Sequence, residues 1–263
     1  MKRTKKLPKA KAKAKAKTKP ATNSAAMKMM KTMICLILDR SGSMAGREKD
    51  VIGGVNTFLD EQKKLPHPAS VAFVRFDTNA IERFRPMAPL KKAEPLTATD
   101  YVPSGGTPLL DAVGQTIVAL DADWKAEKPD QAIVVIVTDG QENASHEYKK
   151  AQIKDMITSR EASGKWMFVY LAANVDAFDE AGAIGVLAAN TAGYTSTAAG
   201  TKSMYSATSQ TVSALRMTGD KVAKNLGGNI AEDGKIEKKK GNTPAQVAAA
   251  QPWVEPKEWT PPQ

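Results

Sequence analysis

Asp39, Ser41 and Ser43 stand at alternate positions directly after the apolar run Met33–Leu38. One carboxylate and two hydroxyls set this close together form a compact group of oxygen donors. Hard divalent cations such as Mg²⁺ prefer oxygen ligands and keep several of their waters. Two further stretches carry matching groups. Ser104, Gly105, Gly106, Thr107 and Pro108 form a polar, flexible entry to a helix, and Thr138, Asp139, Gly140, Gln141, Glu142 and Asn143 follow a second apolar run. Any one of the three also reads as an ordinary helix cap or turn. A cation site requires that they converge.

Convergence depends on the elements that carry them. Met33–Leu38 reads as a buried strand, followed by a helix over Arg47–Lys64 whose Val51, Val55, Phe58 and Leu59 share one face. Ser70–Asp77 is a second strand and Ala80–Arg85 a short edge strand. Pro108 suits the first turn of a helix carrying Leu110, Val113, Ile117 and Leu120 inward. Ala132–Val137 is a continuous run of mostly β-branched residues, as in a strand buried on both faces of a parallel sheet. Glu147–Ser163 reads as a helix, Trp166–Leu171 as a strand, and Asp176–Ile184 and Thr201–Met217 as helices. Alternating strands and helices predict an α/β fold: a Rossmann-like three-layer sandwich with a mainly parallel central sheet flanked by helices. Ligands of such sheets gather beyond the carboxyl ends of the strands.

The three loops, in this order and at these element boundaries, resemble the von Willebrand factor A domain with its metal-ion-dependent adhesion site, of the intracellular bacterial or phage type. The D-x-S-x-S element is Asp39, Ser41 and Ser43; the family's distant threonine matches Thr107, and its later aspartate Asp139. The resemblance spans roughly Lys31 to Thr218. It implies that the Ser41 and Ser43 hydroxyls bind Mg²⁺ or Mn²⁺ directly, and Thr107 directly or through water. Asp39 and Asp139 would act through water and by bonding the hydroxyls. A shell of neutral hydroxyls leaves the ion electrophilic, and a partner's Asp or Glu would complete it. Arg40, Met44 and Gly106 flank these ligands and are expected to meet the partner. The implied function is a metal-dependent protein-binding module and not an enzyme. By the same analogy the chain would alternatively serve as a non-catalytic partner of an AAA+ ATPase or metal-insertion complex.

Other chemistries find less support. A phosphatase with an aspartate nucleophile at Asp39 would need a second aspartate where Ser41 stands. There is neither a phosphate-cradling GxxxxGK[ST] loop nor a GxSxG elbow. His67 and His146, the two histidines, lack Cys or His partners at zinc spacing and are expected in solvated or capping roles. Asp77 and Asn79 end the second strand near the candidate site, in a turn or in support of the ligands, and Asp100 and Tyr101 precede Thr107.

The net charge of +10 is unevenly placed. Ten of the 38 Lys and Arg lie in residues 1–19, and the other 28 balance the 28 acidic residues. Residues 1–27 are Lys/Ala-rich and predicted disordered. Such a basic tail is either a flexible arm or a salt-sensitive, non-specific contact to nucleic acid or another polyanion. The folded domain is expected over residues 28–220. An extended tail would fill 221–263, where Trp253 and Trp259 sit among prolines and either dock or fold back. The single cysteine, Cys35, lies in the first apolar run and reads as a buried hydrophobe. No apolar run is long enough to cross a membrane and no cleavable signal is evident. A cytoplasmic location is expected.

Overall fold

The computed structural model describes residues 29–139, 141–173, 177–219, 226, 228–230 and 235–237. Its elements in chain order are β1 (Thr32–Asp39), α1 (Glu48–Lys64), β2 (Ala69–Phe76), β3 (Ile81–Pro89), α2 (Leu109–Glu127), β4 (Gln131–Thr138), α3 (Lys150–Ala162), β5 (Trp166–Ala172), α4 (Ala177–Ala183), β6 (Thr191–Tyr194), α5 (Ala198–Thr218), β7 (Gly228–Ile230) and β8 (Ile236–Glu237). They form one sheet in the order β3-β2-β1-β4-β5-β6-β7-β8. The pairs from β2 through β7 are parallel; β3 and β8 close the two edges antiparallel.

Alternation along β1 divides the interior in two, because successive side chains of a strand point to opposite faces. Ile34, Leu36 and Leu38 join Val55, Phe58, Met204, Tyr205 and Val212 of α1 and α5 on one face. Met33, Cys35 and Ile37 join Val113, Ile117, Ile153, Ile157 and Ala181 of α2, α3 and α4 on the other. Helices thus cover both faces, and β1 and β4 are buried along their whole length. This is the three-layer α/β sandwich predicted from the alternating pattern.

Several boundaries differ from the sequence reading, each for a physical reason. The edge strand β3 runs on to Pro89, because an edge position tolerates Pro86 and Pro89 and its pairing to β2 carries register shifts. Helix α3 begins three residues late. The Asp111 carboxylate accepts the backbone N–H groups of His146, Glu147 and Tyr148 and holds them out of the helix. His67 is buried, 7% exposed, where a solvated side chain was expected: Arg216 of α5 covers its turn and donates to its carbonyl at 2.8 Å.

The sheet also continues beyond the boundary expected near residue 220. Leu226 and Ile230 are buried in the core on the α1/α5 side, and β7 and β8 extend the sheet. These strands have three and two residues, too few for a period-2 pattern to register. The four-residue β6 escaped notice for the same reason. The Lys/Ala-rich stretch 1–27 and the segment with Trp253 and Trp259 lie outside the described residues. Among the described residues, no helix is long and apolar enough to cross a membrane.

Candidate metal centre

Chain order reverses between β1 and β4. From β1 the chain passes to β2 and β3 on one side, then returns to β4 on the other. The carboxyl ends of these two neighbouring parallel strands therefore flank the switch point, where an open α/β sheet leaves a crevice. Asp39 ends β1, and Thr138 ends β4 with Asp139 next.

A run of short hydrogen bonds crosses this crevice. Thr138 Oγ1 donates to Asp39 Oδ2 at 2.6 Å, and the Ser41 N–H donates to Asp39 Oδ1 at 2.7 Å. The Ser41 and Ser43 hydroxyls lie 3.0 Å apart, and Ser43 Oγ donates to Asp139 Oδ1 at 2.7 Å. Four of the five expected ligands are thus joined, Asp39 to Ser41 through the Ser41 backbone N–H and the others through their side chains.

Thr107 enters by its backbone. Its N–H donates to Asn143 Oδ1 at 2.9 Å, and its carbonyl accepts from the Asn143 N–H at 3.2 Å. The same loop touches the first one where the Gly42 N–H meets the Gly105 carbonyl at 2.9 Å and the Ser104 N–H meets the Arg40 carbonyl at 2.7 Å. Gly105 has φ +64°, and a Cβ there would stand 2.2 Å from Thr78 Oγ1. Only glycine makes this turn without strain. The Thr107 side chain is 2% exposed, and no hydrogen bond joins its hydroxyl to the other four ligands among the described residues.

Burial shapes the electrostatics. Asp39 is 1% exposed and forms no ion pair among the described residues. Burial, only partly offset by its bonds to Thr138 and Ser41, pushes its carboxyl up to about 6. Asp139 lies close enough to add to that rise, and its own side chain pairs with Arg47, whose Nη1 is 2.7 Å from Oδ2. Below the site, Tyr101 donates to the Asp39 main-chain carbonyl.

The donor set fits a hard divalent ion. It is all oxygen, mixes hydroxyls with two carboxylates, and includes a buried carboxylate lacking a countercharge of its own. Among the described residues no three His, Cys, Asp or Glu come together to hold a metal ion, so an ion here would depend on the hydroxyls beside the two carboxylates. Asp39, Ser41, Ser43, Thr107 and Asp139 are the residues that would hold the ion.

The expected partner contacts fare differently. Met44 is fully buried in the core beside α1 and α5 and faces no partner; an apolar residue following the ligands serves the interior here. Arg40 is tied to Asp77 at 2.9 Å and Glu82 at 3.6 Å, with its side chain 12% exposed. Gly106 admits Asn143, since a Cβ would come within 2.9 Å of Asn143 Oδ1. Asp77 makes the turn, accepting from the Asn79 and Ala80 N–H groups, and anchors Arg40. Asp100 is engaged by Thr97 and Arg85.

Four residues that support the site were not singled out from sequence: Arg47, Asp111, Glu142 and Asn143. Glu142 accepts the Leu110 N–H at 2.9 Å, so a carboxylate from the third loop caps the start of α2. Glu142 and Asn143 sit in a stretch already picked out, and their acceptor groups were the available signal. Arg47 gave none, because a helix start read at that residue does not say which carboxylate its side chain reaches.

No family model matches this chain, and no curated protein does. Among solved structures, the chain is similar to one described as the crystal structure of the SpRpn10 VWA domain, at 12% identity and a TM-score of 0.41, over 54% of this chain and 75% of that one.

Proposed function

We propose that this chain is a non-catalytic protein-binding module that holds Mg²⁺ or Mn²⁺ through Asp39, Ser41, Ser43, Thr107 and Asp139 and captures an Asp or Glu of a protein partner. The observation that carries this reading is the hydrogen-bonded run from Asp39 through Ser41 and Ser43 to Asp139 at the sheet's switch point. It gathers hard donors at a rim where Ser43 is exposed, while Asp39 and Ser41 stay buried. When bound, the ion would supply a Lewis-acidic position for a carboxylate oxygen. The protein's own part is to hold the hydroxyls in place: Asp39 fixes the Ser41 backbone, Asp139 orients the Ser43 hydroxyl, and Asn143 fixes Thr107.

The test compares partner capture in Mg²⁺, in chelator, and with Ser41→Ala, read by mass spectrometry. Partners recovered in Mg²⁺ and lost in the other two conditions are expected. Equal recovery in all three would rule out capture through the ion.

A further inference from the structure

Arg47 is the one cation paired to a proposed ligand carboxylate among the described residues, and helix energetics do not explain its place. It is the N-cap residue of α1, where the macrodipole disfavours positive charge. Its side chain makes no capping hydrogen bond, and the first turn instead carries Glu48 and Asp50. What holds the guanidinium there is Asp139, 2.7 Å away. The two partners are unequally placed: the Asp139 side chain is 2% exposed and the Arg47 side chain 26%. The aspartate is fixed by Ser43, whereas the arginine has an open path to solvent.

We propose that Arg47 is a tethered cation that competes with the divalent ion for Asp139 and thereby sets the ion affinity of the site. The inference rests on the ion-binding reading above. A guanidinium and a divalent ion at one carboxylate repel each other, so filling the site requires Arg47 to give up the pair and turn outward. The cost of that step lowers the affinity.

The test is Mn²⁺ titration of the full chain, followed by the electron paramagnetic resonance signal of free aqueous Mn²⁺. Wild type is compared with Arg47→Gln and Arg47→Met, two neutral variants that differ in hydrogen bonding. Both are expected to bind roughly fivefold more tightly or better, the upper scale of an exposed ion pair, since this one is mostly buried. In thermal melts, both are expected to be less stable than wild type in chelator, with the gap closing in saturating Mn²⁺. Wild type that binds Mn²⁺ while both variants bind no more tightly would overturn the competition and leave the site standing. Failure of all three proteins to bind would overturn the site, and the competition with it.

Discussion

Asn143 holds Thr107 from both sides: its side-chain carbonyl accepts the Thr107 N–H at 2.9 Å while its own N–H donates to the Thr107 carbonyl at 3.2 Å. This clasp is what ties the second loop to the third. Asn143→Ala would release the Thr107 N–H while keeping the backbone bond to its carbonyl, and would remove no ligand. Groups that orient ligands in this way are commonly worth ten- to a hundredfold in metal affinity. Mn²⁺ titration of Asn143→Ala is expected to show binding weakened about tenfold, with the fold retained by circular dichroism.

Gly54 and Tyr205 set how closely α1 and α5 approach. A Cβ on Gly54 would lie 2.0 Å from Tyr205 Cδ2, deep in the α1/α5 side of the core. Gly54→Ala gains helix propensity but overpacks, and the net loss is expected to be about 2 kcal/mol by denaturant unfolding. In a Tyr205→Ala background the clash is gone. There the same substitution is expected to be neutral or mildly stabilising, a coupling that a double-mutant cycle reads directly.

Arg216 is a buried cation held by carbonyl groups. Its guanidinium donates to Gln62 O at 2.8 Å, Gln62 Oε1 at 3.0 Å and His67 O at 2.8 Å, and it forms no ion pair among the described residues. Burial brings it down to about 10, and the negative C-terminal end of α1 supplies the compensating field. Arg216→Met would leave buried carbonyls unpaired at the junction of α1 and β2. It is expected to cost about 3 kcal/mol, measured as a lower denaturant midpoint at an unchanged slope.

Cys35 lies wholly inside the sheet, and burial pushes its thiol from 9.0 up to about 12. Below pH 9 the thiol is protonated in both folded and unfolded chains and does not affect stability. Between pH 9 and 12 the native protein keeps a proton that the unfolded chain has released, so stability falls as pH rises through that window. Cys35→Ala is expected to flatten this alkaline fall. At pH 8 an aromatic disulfide reagent is expected to modify Cys35 only as fast as the domain opens, checked by comparing labelling with unfolding rates.

The parts of this molecule legible in its sequence were those with enough repetition to outvote local accident. The β-branched run of β4 could only be a strand buried on both faces, and the one-face pattern of Val51, Val55, Phe58 and Leu59 placed α1. Asp39, Ser41, Ser43 and Asp139 were legible because their side chains have one chemistry in common and their strands are neighbours. What escaped depended on contacts distant in sequence. Nothing local says that Asp111 will hold residues 146–148 out of α3, or that Arg47 will reach a carboxylate 92 positions ahead. Met44 shows the converse error, since adjacency in sequence to the ligands implied adjacency to the surface.

The orientation of β1 gives the domain two poles. Residues 1–28 precede the amino end of that strand, where the Lys31 N–H is bound by Asp130 and Gln131 Nε2 donates to Thr32 Oγ1. Asp39 ends the same eight-residue strand, roughly 23 Å away at the rise of a β-strand. A protein captured beside Ser43 would meet the carboxyl pole, with the whole length of β1 between it and the amino end.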